Sequence, residues 1–481
     1  FTTGNKIASL TNTTLNGGFV ETGAVIDLTV TDSDWTITAG EGATLRNLDV
    51  QGSSTLRVEV DGVNNRAGTI LASETATLSE ATTIVPVLRS VITDQQTFTL
   101  VQARQLNTNI TFDEAQTAET SYMHTTTVVR DLENPNTIFL RVSRRSADDL
   151  GLENNIATLY EASGSALSQD SALFTDLASI TIQSEFESAL TQFLPDTSDA
   201  IFQSAIDQQN MSLGAINRRL DRVPAQGFYR DRPTVWLQTM GHYAKRKPDE
   251  LRPGYSTWSG GIAIGFDRQF DRLTRAGLAY TQLWSFPDEL ETIDKPTEFS
   301  SSQLNGYFRM GSAHRHLQGA LNLGYDSFNS ERRVVFGSLD RSVQGDWDGY
   351  EIGSALQLAL GIKRNGWSLV PTARLNYLLL HQGSYAETSG GDGLNLQYSS
   401  NNTDSFRAGL GFAARREFVL EDDSILQAEA RTTYTRELMG RTRTMEVAFA
   451  ADSTPFDLQA LASTQNVFSF GVGVFYKNDH A

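Results

Sequence analysis

The chain has 481 residues, of which 39% are hydrophobic and 20% charged, with a net charge of -18 and no cysteine. This acidity argues against a protein that holds nucleic acid by neutralising phosphates, and the missing thiols exclude disulfides and thiolate metal centres. No run approaches the roughly 18 apolar residues of a membrane helix, but a membrane barrel stays open, because lumen-facing residues dilute the hydropathy of lipid-facing ones.

Length alone suggests two or three units. The text opens at Phe1 inside a strand-like pattern, which reads as a processed or excerpted start. Residues 1 to 145 are rich in Thr, Val, Gly, Asn and Ser, in short alternating runs such as "AVIDLTV" (24 to 30), "STLRVEV" (54 to 60) and "TFTLVQA" (97 to 103). Short strands at near-regular spacing suggest a sandwich or a solenoid, and without a strict repeat the pattern leaves both open.

Residues 146 to 222 change period. Phe186, Leu190, Phe193 and Leu194 fall on one helical face, and Pro195 ends that segment. A second helix is expected from a Thr197 or Ser198 cap, with Leu213, Ile216 and Leu220 aligned. Its last turn carries Arg218, Arg219 and Arg222, the sign favoured at a helix C-terminus, and Pro224 forbids continuation. Those arginines fit either a solvated helix end or a grip on a surrounding wall.

From Pro233 the period is two, in strands of about 9 or more residues, enough to cross a hydrocarbon layer when tilted. Ile262, Ile264 and Phe266 alternate with Gly261, Ala263 and Gly265, and Leu304, Phe308 and Met310 with Gln303, Asn305 and Arg309. Leu321, Leu323 and Tyr325 oppose Asn322 and Gly324, while Ile352, Leu356 and Leu358 oppose Glu351 and Gln357. Leu375 and Tyr377 oppose Arg374 and Asn376, Phe406 and Leu410 oppose Arg407, and Leu426 opposes Gln427, Glu429 and Arg431. Phe468, Phe470, Val472 and Val474 oppose Ser469, Gly471 and Gly473.

The linkers "DRQFDR", "GSAH", "KRNG" and "LEDD" are short, whereas 286 to 300, 328 to 345, 388 to 393 and 438 to 462 are mostly longer and more polar. That asymmetry is the one an outer-membrane barrel shows. The second face of these strands is Gly, Ala, Ser, Asn and Gln with a few Arg or Glu and almost no Lys, unlike a face bathed in bulk water. It suits a confined wet lumen. The apolar face then meets lipid, with Trp258, Trp284, Trp367, Tyr280, Tyr325, Tyr377 and Tyr434 as interfacial girdles.

"TVWLQTMGHY", "WSGGIAIGFDRQF", "TRAGLAY", "WSLVPTARLNYLLL" followed by "SYAE", and "FRAGLGFAARREF" resemble the translocator barrel of the type V autotransporters of Gram-negative bacteria. "LGLENNIATLYEA" and the region to Val223 resemble that family's linker and pore-threading helix, and the first 145 residues the tail of its β-helical passengers. The resemblance implies an all-β fold: the end of a right-handed parallel β-helix (1 to 145, with an autochaperone-like end), a linker and pore helix (146 to 230), and an antiparallel outer-membrane barrel (231 to 481). It implies secretion of an N-terminal passenger to the cell surface, outer-membrane lipid as surroundings, periplasmic chaperones and the barrel-assembly machinery as partners, a monomeric barrel, no cofactor and no catalysis in the barrel. The family barrel has twelve strands, whereas ten are counted here, so a last hairpin is expected to be missing, the other reading being strands overlooked within 388 to 400 and 441 to 462.

Relatives that release their passenger do so at an adjacent pair of asparagines in the pore helix. Here Asn210 and Asn217 stand singly, so the passenger is expected to stay attached. His314 and His316 fall at a short turn with no third ligand nearby, and "GDWDGYE" (345 to 351) lacks the spacing of a calcium loop. No phosphate loop, metalloprotease helix or nucleophile elbow is present. The polar constellation that remains faces the lumen: Gln303, Asn305, Arg309, Glu351, Gln357, Arg374, Arg407, Glu429 and Arg431. It either grips the helix through Asp207, Asn217, Arg218, Arg219 and Arg222, plugging the pore, or merely hydrates a channel wall. Two other architectures stay open: a secreted soluble all-β protein, carbohydrate-active or adhesive, and a porin with a fused adhesive domain whose helices lie outside the barrel.

Overall fold

The computed structural model describes residues 6–17, 26–110, 112, 121–221, 233–248, 253–312, 315–419, 424–439, 443–460 and 466–477. The N-terminal region is built from two sheets of mostly parallel strands. One orders the strands Lys6–Thr11, Ile26–Thr31, Gly42–Gln51, Thr69–Leu78 and Gln96–Thr108 in parallel, then turns antiparallel through Thr137–Arg144 and His124–Arg130. The other carries Thr14–Asn16, Asp34–Ile37, Thr55–Asp61 and Thr83–Leu88 in parallel, with the short Arg66–Ala67 pairing antiparallel. Alternate residues of both, including Leu28, Val30, Trp35, Ile37, Leu48, Val58 and Val60, are buried in one apolar core.

Successive strands are joined by a recurring corner. Thr11, Thr31 and Gln51 are in register, and the next residues, Asn12, Asp32 and Gly52, all have positive φ. Asn and Asp tolerate that conformation and Gly adopts it freely. A Cβ on Gly52 would collide with the Asp32 carboxylate, whose Oδ1 accepts from Ser53 N at 2.9 Å.

Helices Asn154–Gln169, Ser171–Ala178 and Gln183–Thr191 extend this core with Tyr160, Phe174, Phe186 and Leu190, and Phe193 follows. The same cluster includes Val334, Leu339, Val343, Leu394, Leu396 and Phe449 from the barrel region, so the N-terminal region and these helices form a stem that packs on one end of the barrel.

From Thr234 an 11-stranded antiparallel sheet follows. Its ten long strands are Thr234–Arg246, Tyr255–Gln269, Thr274–Glu289, Lys295–Gly311, Arg315–Phe336, Leu339–Leu360, Trp367–Gln382, Asn401–Val419, Ile425–Glu437 and Asn466–Lys477. Each pairs with the next, and among the described residues the first and last have no second partner. Three of the four expected longer loops are at least half strand. The segment 328 to 345 continues a pair of strands of 22 residues each up to the Phe336–Leu339 pairing. At about 3.4 Å per residue that hairpin outreaches a bilayer. Strands within 388 to 400 and 441 to 462 do exist, but they are not barrel strands: Leu396–Tyr398, Arg443–Phe449 and Pro455–Ala460 join Tyr385–Ala386 in a separate four-stranded sheet.

The faces divide as the alternation predicts. Ile264, Phe266, Leu278, Leu304, Leu321, Leu323, Tyr325, Leu356, Leu410, Phe468 and Phe470 are exposed, as are Trp258, Trp284, Trp367, Tyr280 and Tyr434 of the girdles. Tyr377 is half-buried. No second layer of protein covers the apolar face among the described residues, which removes the soluble-sandwich architecture. In the "LLL" run Leu378 and Leu380 lie on the same face as Arg374 and Asn376, point inward and are buried.

Candidate functional site: the lumen and its helix

Helix Ala200–Asp221 lies on the concave side of the sheet. Its 22 residues rise about 33 Å at about 1.5 Å each, close to the roughly 30 Å of a hydrocarbon core. It starts one or two residues later than expected: Asp199 has positive φ, and Ser198 Oγ accepts from Ala200 N at 3.3 Å. The three helices before it belong to the N-terminal core and, among the described residues, this is the only one that enters the lumen, against the porin alternative.

The N-terminal end is tied to the rim beneath the stem. Glu289 Oε2 accepts from Thr197 N and Ser198 N at 3.1 and 3.2 Å, Arg246 Nη2 donates to Ser198 O at 2.7 Å, and Arg443 pairs with Asp199. Phe202, Ala205 and Ile206 pack against Phe299, Phe328, Trp347, Leu378 and Leu380. Here five rings stack in sequence, Phe299, Phe328, Trp347, Tyr385 and Tyr398, with neighbouring centroids 4.6, 5.1, 4.3 and 4.2 Å apart. The stack carries barrel wall into loop sheet, and Trp347 Nε1 donates to Gln382 Oε1 at 3.0 Å.

Mid-helix contacts are hydroxyls and amides. Ser204 Oγ meets Thr257 Oγ1 at 3.2 Å, Gln208 Nε2 donates to Ser285 Oγ at 2.8 Å, and Gln209 Nε2 to Tyr377 O at 2.7 Å. Ser212 Oγ lies 3.2 Å from Asn305 Oδ1 and 3.3 Å from Thr281 Oγ1. Small wall residues let the helix approach: Leu213, Ala215, Ile216 and Leu220 pack on Ala263, Ala279, Ala320, Trp236 and Tyr307.

The last turn is held by charge. Arg219 forks onto Asp267, with Nε to Oδ2 at 2.7 Å and Nη2 to Oδ1 at 3.1 Å. Arg309 Nη1 donates to Leu220 O, and Asp221 accepts from Gln318 Nε2 and Arg415 Nη2, both at 3.0 Å. A guanidinium on a terminal carbonyl answers an otherwise unpaired C-terminal acceptor.

Of the residues singled out by sequence, Arg219, Arg309 and Asn305 touch across the helix–wall boundary, and Arg218 Nε is 2.6 Å from the Gln238 amide oxygen when that oxygen faces it. Asp207 faces His242 at 3.8 Å. Gln357 reaches the helix only through Gln318, and Glu429 only through Arg415. Arg407 pairs with Glu437 on the wall, and Arg431 is exposed, 3.9 Å from Glu429. Gln303 and Glu351 bond to wall neighbours, Ser301 and Asn322. Asn217 is half-buried, Arg374 half-buried on the wall, and Arg222 lies outside the described residues. Sequence reasoning missed Asp267, Gln318 and Arg415, the acceptor and donors nearest the short turns, and the aromatic stack. His316 is held by Arg309 at 3.1 Å, and His314 lies outside the described residues.

Residues 235–480, about half of the chain, match the family model described as the autotransporter beta-domain. Among solved structures, the translocator domain of autotransporter NalP from Neisseria meningitidis is similar at 16% identity over 59% of this chain and 88% of that one, with a TM-score of 0.45. The β domain of the Bordetella autotransporter BrkA is similar at 18% identity over 51% of this chain and 98% of that one, with a TM-score of 0.35. No curated protein matches the chain. The chain belongs to the autotransporter β-domain family, and its C-terminal half is a translocator barrel of the bacterial outer membrane.

Proposed function

We propose that this chain delivers its own N-terminal region to the cell surface and then holds it there, with Ala200–Asp221 left in the lumen as a plug. The observation that carries the reading is the double attachment of that helix, by Glu289, Arg246 and Arg443 at one end and by Asp267, Arg309, Gln318 and Arg415 at the other. Hydrating groups alone would not converge on a helix at both ends. Because the outer end runs directly into the stem, the stem sits on the surface side and the short turns face the periplasm.

On this reading residues 1 to 145 are the end of a β-helical passenger with an autochaperone-like tail, 146 to 230 the linker and pore helix, and 231 to 481 the barrel. The parallel pairing of the two N-terminal sheets and their recurring corner favour a β-helix. Among the described residues the outer edges of Thr234–Arg246 and Asn466–Lys477 pair with no further strand, and strand edges in lipid need partners. The passenger stays attached, periplasmic chaperones and the barrel-assembly machinery deliver a monomeric barrel, and any catalysis belongs to the passenger rather than the barrel.

Single-channel recording tests the plug. Deleting residues 199 to 222 from the closed barrel should raise conductance several-fold, and unchanged conductance would remove the plug.

A further inference from the structure

The arginines at the short-turn end of the barrel are sorted by face. Arg275 and Arg415 turn into the lumen and have carboxylate partners, Asp267 for the first and Glu429 and Asp221 for the second. Arg315, Arg364 and Arg416 alternate with the lipid-facing residues and are exposed. Among the described residues their side chains have no hydrogen bond or ion pair, and no strand residue of that end turns a carboxylate outward. A chain of net charge -18 thus presents cations alone to lipid here.

Two of the three stand in one row around a tryptophan. The two-residue turn of Asn365 and Gly366, both of positive φ, sets Arg364 directly opposite Trp367, and Arg416 is opposite Trp367 on its other side. Two strand spacings, about 10 Å, separate the arginine backbones. The Arg416 guanidinium carbon lies 5.4 Å from the Trp367 ring centroid and 5.3 Å from that of Phe418. Ring faces steady a cation but offer its N–H fork no oxygen acceptor. Ala414 and Ala428, beside Arg416, are too short to overhang it.

We infer that Arg364, Trp367 and Arg416 bind the headgroup phosphate of an anionic glycerophospholipid. Guanidinium forks match phosphate oxygens two at a time, and the indole between them sits at headgroup level, where amphipathic rings settle. An acyl chain hanging from that phosphate runs over Ile362 and Leu369, the outward pair one step deeper in the membrane. Assignment of the lipid to the inner leaflet rests on the proposed orientation, with short turns toward the periplasm. Binding itself does not.

The test places one cysteine, Ala428→Cys, in the full chain, labels it with bimane and folds the protein into phosphatidylcholine vesicles. These contain brominated phosphatidylglycerol or, in equal amount, brominated phosphatidylcholine, in both leaflets, so the direction of insertion does not matter. Stronger quenching by phosphatidylglycerol is expected, with the preference falling about fivefold in Arg364→Gln and in Arg416→Gln. Arg416→Lys should recover only part of it, because an ammonium keeps the charge without the fork. Arg268→Gln, outward on the second strand, should leave the preference unchanged. Equal quenching by the two lipids with both arginines present would overturn the site. So would an equal fall in Arg268→Gln, which would make the preference a property of overall surface charge. Quenching by neither lipid would overturn the outward placement of this face, and the site with it.

Discussion

Arg219 of the pore helix and Asp267 of the second barrel strand form a two-point fork, and Arg275 Nη1 stands 3.3 Å from the same carboxylate. Asp267 is 1% exposed at its side chain, Arg219 20%. One buried anion therefore serves two cations, one from the helix and one from the wall. Removing the anion and removing the helix cation should have unequal effects.

Asp267→Ala leaves two guanidiniums facing each other in a low-dielectric site, and breaking such a pair costs about 3 kcal/mol. Arg219→Ala leaves Asp267 still paired with Arg275, so it should cost about 1 kcal/mol. Protease susceptibility of the helix in detergent, read against urea, separates the two. Equal losses would mean that Arg275 does not share the charge.

The stem carries a pH dependence of its own. Burial, with Arg144 adding to it, lowers the His124 imidazole to about 3. Its ring meets Ser121 Oγ at 3.2 Å and the Phe174 edge at a centroid distance of 5.9 Å. The folded stem therefore favours the neutral ring, and unfolded chain binds the proton first. Stability is complete above the unfolded pKa of about 6.5 and is lost as pH falls from there toward about 3, by up to roughly 4 kcal/mol. Hydrogen exchange of strand His124–Arg130 across that window should show the slope, and His124→Asn should flatten it.

Lipid exposure gives a sharper contrast. Leu323 is 59% exposed and its neighbour Asn322 is 4% exposed. Leu323→Arg places a charge in hydrocarbon and should cost about 2 to 4 kcal/mol near the midplane. The control is the same charge on the lumen wall, Gln357→Arg, beside Gln318. It should cost less than half as much, and refolding yields into vesicles measure both.

The barrel was legible because lipid rewards a strict alternation that loops and soluble strands rarely sustain. Ile264, Leu323 and Phe470 could be placed outward from period alone. Period likewise turns Leu378 and Leu380 inward with Arg374 and Asn376, but it does not give the reason apolar residues suit that face: near the rim the lumen is closed by the apolar helix turn at Phe202 and Ile206 rather than by water. The helix was legible from Leu213, Ile216 and Leu220, but its partner Asp267 looked like an ordinary turn residue, and only the hairpin register brings it under Arg219. The corner at Asn12, Asp32 and Gly52 escaped notice because three different residue types serve one backbone conformation. The segment 328 to 345 looked like a loop because, beyond the membrane, its strands no longer need an apolar face.

The central claim is sidedness, and the absence of cysteine makes it directly measurable. Single-cysteine variants at each position from Gln318 to Asp326, spin-labelled in vesicles, report collision with oxygen dissolved in lipid. The account predicts high values at Leu321, Leu323 and Tyr325 and low values at Ala320, Asn322 and Asp326, with a period of two. A flat profile, or high values on the Asn322 side, would contradict it.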